Sequence, residues 1–146
     1  MAIQPLNKAH STLYGQIYAD AFNGAPWFDH WQVADAIIHV EERIHTPTVY
    51  GLEYVANGEV AGFILGSSML FSYGRVFEIN DLAVAPAYQH QGIGRALLEQ
   101  CLADLKKQGI VGVHLITQSE GALPAFYSKY GFTKENVVML MGKSFK

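Results

Sequence analysis

The sequence predicts an α/β fold, a mixed sheet of six or seven strands with a central parallel pair and helices on both faces. Three observations carry that expectation. Apolar residues recur at helical spacing over 11–22, about 31–44 and 92–108. Two strand-like runs meet at Asn57-Gly58, a dipeptide that favours a tight hairpin. An apolar strand ending at Val84, the helix after it and a further strand make a β-α-β unit, whose two strands must lie parallel.

Each element has a local reason. Residues 3–6 read as a first short strand. Helix 11–22 buries Leu13, Ile17, Tyr18, Ala21 and Phe22, and Asn23-Gly24-Ala25-Pro26 stops it with turn chemistry. After the aromatic stretch Trp27-Phe28-Asp29-His30-Trp31, helix 31–44 buries Val33, Ala36, Ile37, Val40 and Ile44 and ends at Thr46-Pro47. Strands 48–56 and 60–70 form the hairpin, and strand 75–84 follows, ended by Pro86, which cannot donate to a ladder. Helix 92–108 sets Ile93, Leu97, Cys101 and Leu105 along one face and stops at Gly109. Strand 111–117, a short helix 122–130 and a final strand 136–144, with Val138, Leu140 and Gly142 facing one way, complete the expected order.

The chain of 146 residues suits one domain, 1–146, with a single sizeable core. Half of it is hydrophobic and 16% charged, which excludes general disorder, and no apolar run reaches the ~18 residues of a membrane span. The N-terminus lacks a basic head and apolar centre, and the one cysteine forms no internal disulfide, so a soluble cytoplasmic protein without a membrane partner is expected. The formal net charge of −3 leaves no electrostatic footprint for nucleic acid and suits a cationic substrate mildly. The six histidines show none of the spacings of a metal site, so no metal is expected.

The most informative stretch is the junction from Leu82-Ala83-Val84 through Gln89-His90-Gln91-Gly92-Ile93-Gly94-Arg95. Gly92 and Gly94 let backbone approach a ligand closely, and the first N–H groups of the next helix have no partner inside it. Such a junction attracts an anion. The dinucleotide fingerprint fails because its third glycine position holds Leu97, and the Walker pattern fails because Gly94 is followed by Arg95-Ala96. Gln89-x-x-Gly92-x-Gly94 behind a strand resembles instead the coenzyme A site of the GNAT superfamily of N-acetyltransferases. Downstream, Phe126-Tyr127-Ser128-Lys129-Tyr130-Gly131-Phe132 is similar to the F-Y-x-x-x-G-F ending of that family. The resemblance runs from about Glu59 to the C-terminus at motif level.

That resemblance implies acetyl-CoA as cosubstrate, entering where the two parallel strands splay apart. Its binding residues would be Leu82, Ala83, Val84, Gln89, His90, Gln91, Gly92, Ile93, Gly94 and Arg95. Acetylation of an alkyl ammonium, pKa ~10.4, needs a base. Glu78 stands where several members carry a catalytic glutamate, and Asp81 competes with it. Under strict alternation Glu78, Leu82 and Val84 share one face and Asp81 points to the other, unless a bulge intervenes. Glu120 is a more distant candidate, standing where many relatives have an asparagine.

Tyr127 resembles the family's tyrosine acid, which returns a proton to the departing thiolate; the alternative is a core tyrosine with its hydroxyl at the surface. Cys101 reads as a buried small hydrophobe. Trp27, Asp29 and Trp31 lie between the two N-terminal helices, which in this family line the acceptor site. They suit a small amine through cation–π and Coulomb attraction, or simply pack the helix corner. The functions open at this point are a small-molecule N-acetyltransferase, a protein N-terminal or lysine acetyltransferase, and a catalytically idle coenzyme A-binding module. The final strand either closes the sheet or pairs with a second copy in a homodimer.

Overall fold

The computed structural model describes residues 2–146, in two compact units that divide after Leu115. The first contains β1 (Ala2–Pro5), α1 (Ser11–Asn23), α2 (Val33–Ile44), β2 (Val49–Ala56), β3 (Glu59–Phe71), β4 (Gly74–Val84), α3 (Ile93–Lys107) and β5 (Gly112–Leu115). Its sheet runs in the order β1-β2-β3-β4-β5, antiparallel throughout except for the parallel pair β4-β5. The second unit holds one helix, α4 (Ala122–Ser128).

Five strands form where six or seven were expected. The missing one is 136–144, which has no strand conformation. Its sequence has the apolar content of a strand, but a strand exists only through a partner, and Val137, Val138, Met139, Leu140 and Met141 are all exposed. The other elements fall within a few residues of expectation, the largest difference being β5, which is shorter at both ends. Asn57 and Gly58 both have positive φ, 52° and 76°, as a two-residue hairpin with the twist of its strands requires.

The two sheet faces have different covers. On one, Tyr14 of α1 stacks on Phe63 at 4.9 Å, within a core that includes Ile17, Tyr18, Ala36, Val40, Ile44, Leu65 and Ala83. Glu53 lies in this face, fully buried, accepting hydrogen bonds from the Tyr14 hydroxyl, from Gln4 Nε2 at 2.6 Å and from His10 Nδ1 at 2.8 Å. Burial alone would raise its pKa, but these hydrogen bonds outweigh burial and hold it below the ordinary glutamate value. On the opposite face α3 packs Leu97, Leu98, Cys101 and Leu105, all essentially inaccessible. A large-to-small change among these leucines costs ~2–5 kcal/mol.

One irregularity in β4 matters for everything that follows. Asp81 pairs with Leu65 and Ile79 with Gly66, so Asn80 is an extra residue without a β3 partner. Gly66 lets the backbones approach closely beside this bulge, where an added Cβ would lie 2.0 Å from the Glu78 carbonyl oxygen and 2.6 Å from the Phe77 ring. Gly66→Ala is therefore expected to destabilise the protein by at least ~1–3 kcal/mol, as overpacking does, because backbone rather than a flexible tip must move. A urea unfolding midpoint equal to wild type would contradict this.

Candidate active site

The glycine turn is built as its sequence demands. β4 ends at Val84, a short 3-10 turn spans Pro86–Tyr88, and Gly92 is the left-handed residue (φ 82°) that precedes α3. The amide of Ala96 reaches back to the Gly92 carbonyl at 3.0 Å, so the N–H groups of Ile93 and Gly94 lie at the open helix N-terminus. Around Gly92 nothing lies within 4 Å of a would-be Cβ, and at Gly94 only Val84 Cγ2 does, at 3.7 Å. Gly92 is needed for its φ. Gly94 has an ordinary φ and room beside it, so its missing side chain leaves a cradle for something other than the protein itself.

The neighbours of this cradle divide into structural and accessible groups. Gln89 donates from Nε2 to the Val84 carbonyl at 3.0 Å and so ties the loop to the strand end. Ile93 is buried and can offer a ligand only its backbone. Gln91 donates to the Ala87 carbonyl, while His90, with positive φ, is exposed. Arg95 is 71% exposed and pairs with Glu99 at 3.0 Å.

β4 and β5 part beside this turn. Their last pair is Ile79 with Leu115, and β4 then continues over 80–84 without a strand on that side among the described residues. The backbone of Leu82, Ala83 and Val84 lies along this stretch. The side chain of Ala83 is buried in the α1/α2 core, while Val84 faces Gly94 of α3.

The bulge corrects the expected facing of the acids. Glu78 pairs with Ser67 and Asp81 with Leu65, and Ser67 and Leu65 alternate onto the same side of β3, so Glu78 and Asp81 share the α1/α2 face. Leu82 and Val84, opposite Ile64 and Gly62, lie on the other. Glu78 is half-buried on the strand just before the bulge. Asp81 is 4% exposed and already committed: His39 Nε2 lies 3.4 Å from its Oδ1, and Arg43 Nε lies 4.0 Å from its Oδ2.

Between α1 and α2, Trp27 and Trp31 of the aromatic segment pack inward, while Phe28 is exposed. Trp31 is held by Asn23 through both backbone groups, at 2.7 and 3.0 Å, and its ring meets Tyr18 at 5.0 Å and His39 at 5.3 Å. Tyr18 also stacks on His39 at 4.6 Å and on Phe22 at 4.5 Å. Trp27 leans on Phe22 at 5.8 Å, which favours the packing role for that residue. Asp29 is exposed, and its charge, with burial and Asp81 as the larger causes, pushes the Tyr18 phenol above its usual range. Sequence reading missed Tyr18 and His39 as members of this site. Their meeting with Asp81 depends on the bulge, and nothing in the helical spacing announces that.

In the second unit, Tyr127 of α4 packs edge-on against Phe126 at 5.1 Å and Phe132 at 5.8 Å. Gly131 takes positive φ, 86°, and the Phe132 amide returns to the Tyr127 carbonyl, so the Gly-Phe ending folds back over the helix. Burial raises the Tyr127 phenol above its ordinary value. Cys101 is buried in the core, where burial, with the Asp104 charge adding to it, pushes its thiol up to about 12. Among the described residues no group of acids, histidines and cysteine could hold a metal, and no helix is long and apolar enough to cross a membrane.

Comparison with known proteins shows the family. A family model described as an acetyltransferase (GNAT) domain matches residues 49–134. The [Ribosomal protein bS18]-alanine N-acetyltransferase of Escherichia coli (strain K12) is 29% identical over 116 residues, covering 70% of this chain and 76% of that protein. The N-alpha-acetyltransferase RimI of Mycobacterium tuberculosis is 35% identical over 77 residues, 50% of this chain and 48% of its own. Among solved structures, a possible acetyltransferase from Clostridium difficile 630 superposes with a TM-score of 0.84 at 14% identity, covering 99% of this chain and 98% of that one. An aminoglycoside acetyltransferase, meta-AAC0020, from an uncultured soil metagenomic sample in complex with sisomicin gives 0.76 at 18% identity, covering 99% and 96%. The chain belongs to the GNAT family of N-acetyltransferases.

Proposed function

We propose that the protein moves the acetyl group of acetyl-CoA to a primary amine by direct transfer. The observation that carries this reading is the cradle at Gly94. It joins an open helix N-terminus to a strand end that has no strand on its β5 side among the described residues, the backbone donors that a pyrophosphate and an acyl-carrying amide arm require. Acetyl-CoA supplies the activated acyl group. The N–H groups of Ile93 and Gly94 take the phosphates, and the backbone of Leu82, Ala83 and Val84 takes the arm. Glu78 takes a proton from the acceptor nitrogen, because it is the acid on its face of β4 that is not already paired. Tyr127 gives one to the departing thiolate, and a phenol raised by burial retains that proton at neutral pH.

The acceptor in this reading is a small amine, drawn by exposed Asp29 and the aromatic wall behind it. Asp29→Asn should raise KM for a small polyamine or amino sugar about two- to fivefold, the size of one screened surface charge (~0.5–1 kcal/mol), and leave KM for acetyl-CoA unchanged. The relatives named for alanine and α-amine acetylation favour a second reading, in which the acceptor is a protein N-terminus. Mass spectrometry of products from mixed polyamines, aminoglycosides and an alanine-initiated peptide separates the two. Acetylation of the peptide alone, with no effect of Asp29→Asn on it, would replace the small-molecule reading by the protein one.

A further inference from the structure

We propose that His39, held by Asp81, is a second proton acceptor for the acceptor amine. This rests on the reading of the protein as an acetyltransferase of primary amines. A primary ammonium carries three protons on nitrogen and the amide product carries one, so two must leave. Glu78 accounts for one of them.

The second acceptor is found by elimination on the same face. Asp81 is buried, and its Oδ2, although 3.3 Å from His39 Nε2, is out of line for a hydrogen bond and has no partner. No proton donor from an incoming molecule reaches it. The Tyr18 phenol is held protonated by burial and by the charges of Asp81 and Asp29. His39 remains, partly exposed, with its ring fixed against Tyr18 and Trp31.

The orientation of that ring decides its chemistry. A carboxylate only accepts hydrogen bonds, so Nε2, facing Asp81, carries the ring proton, and Nδ1 is left with its lone pair. The other charged groups facing this cluster are Arg43, on the same helix and 4.0 Å from Asp81, and Asp29, whose charge reaches Tyr18. Arg43 offsets part of the Asp81 charge, and the carboxylate fixes which ring nitrogen faces away from it. The balance is then complete. Nδ1 of His39 takes one proton from the ammonium; the free amine forms the C–N bond as the C–S bond breaks and its electron pair leaves on sulfur. Glu78 takes the second nitrogen proton, Tyr127 protonates the thiolate and regains a proton from solvent, and Glu78 and His39 release theirs to solvent.

Asp81 is a positioning residue here, and its test reads the tautomer directly. Nitrogen-15 shifts of the His39 imidazole in the protein without substrates should report Nε2–H in the wild type and loss of that preference in Asp81→Asn, whose amide can donate to Nε2. His39→Gln should lower kcat by ~10²-fold or more with KM for acetyl-CoA unchanged. His39→Ala should be partly restored by added imidazole, which a purely structural loss would not be. An Nδ1–H tautomer in the wild type, or wild-type turnover in folded His39→Gln, overturns the proposal. Wild-type protein that acetylates no amine overturns the underlying reading and this proposal with it, whereas an active wild type with active His39 variants overturns the proposal alone.

Discussion

Gly94→Val is expected to fold as the wild type does and to lose at least ~10²-fold in affinity for coenzyme A. The valine has room against the protein, since its Cβ meets only Val84 Cγ2 at 3.7 Å, and its backbone φ is not of the kind that demands glycine. Its branches fill the space through which a phosphate would reach the first amides of α3. Each charge-assisted hydrogen bond lost there is worth ~1.5–3 kcal/mol, and two of them exceed a hundredfold in Kd. Gly92 is a poorer probe, because its φ of 82° makes any side chain strained whatever the ligand does. Calorimetric titration with coenzyme A, paired with a urea melt, reads both halves of the prediction; unchanged affinity in a folded Gly94→Val would place the pyrophosphate elsewhere.

Tyr127→Phe and Glu78→Gln are each expected to lower kcat by ~10²–10⁴-fold while leaving KM for acetyl-CoA nearly unchanged, as removal of a positioned acid or base does. The pH profiles should differ. Burial raises the Tyr127 phenol, so its proton is present throughout the neutral range and is lost only above the ordinary phenol value of ~10. Turnover limited by this acid therefore holds at neutral pH and falls on the alkaline side beyond that value. Glu78→Gln should instead leave the rate rising with pH toward the amine's own pKa, ~10.4 for an alkyl ammonium, because deprotonation of the acceptor then depends more on bulk pH. Steady-state rates from pH 6 to 10.5 test this, and wild-type rates in both variants would remove both assignments.

How much of this was legible beforehand follows from the range of the interactions involved. The glycine turn, the helix stop at Asn23 and the hairpin at Asn57-Gly58 are local backbone chemistry, written in consecutive residues, and the structure places them as read. The facing of Glu78 is different. It depends on one residue without a β3 partner, Asn80, beside a close backbone approach that Gly66 on another strand permits. The same bulge brings Asp81, the acid that competed for the role of base, to His39 and Arg43. The run 137–141 illustrates the opposite failure: its apolar content reads as a strand, and the reading fails because strand formation is decided by a partner rather than by the segment.

The most direct test of the account is the release of free thiol from acetyl-CoA by the wild-type protein, followed with and without a primary amine and matched against acetylated amine counted by mass spectrometry. Direct transfer predicts thiol release that depends on the amine, equals the acetylated product one for one, and disappears in Gly94→Val at the same acetyl-CoA concentration. Tight binding of coenzyme A with no thiol released above the buffer rate, for any small amine or peptide, would contradict it and leave a coenzyme A-binding module without catalysis.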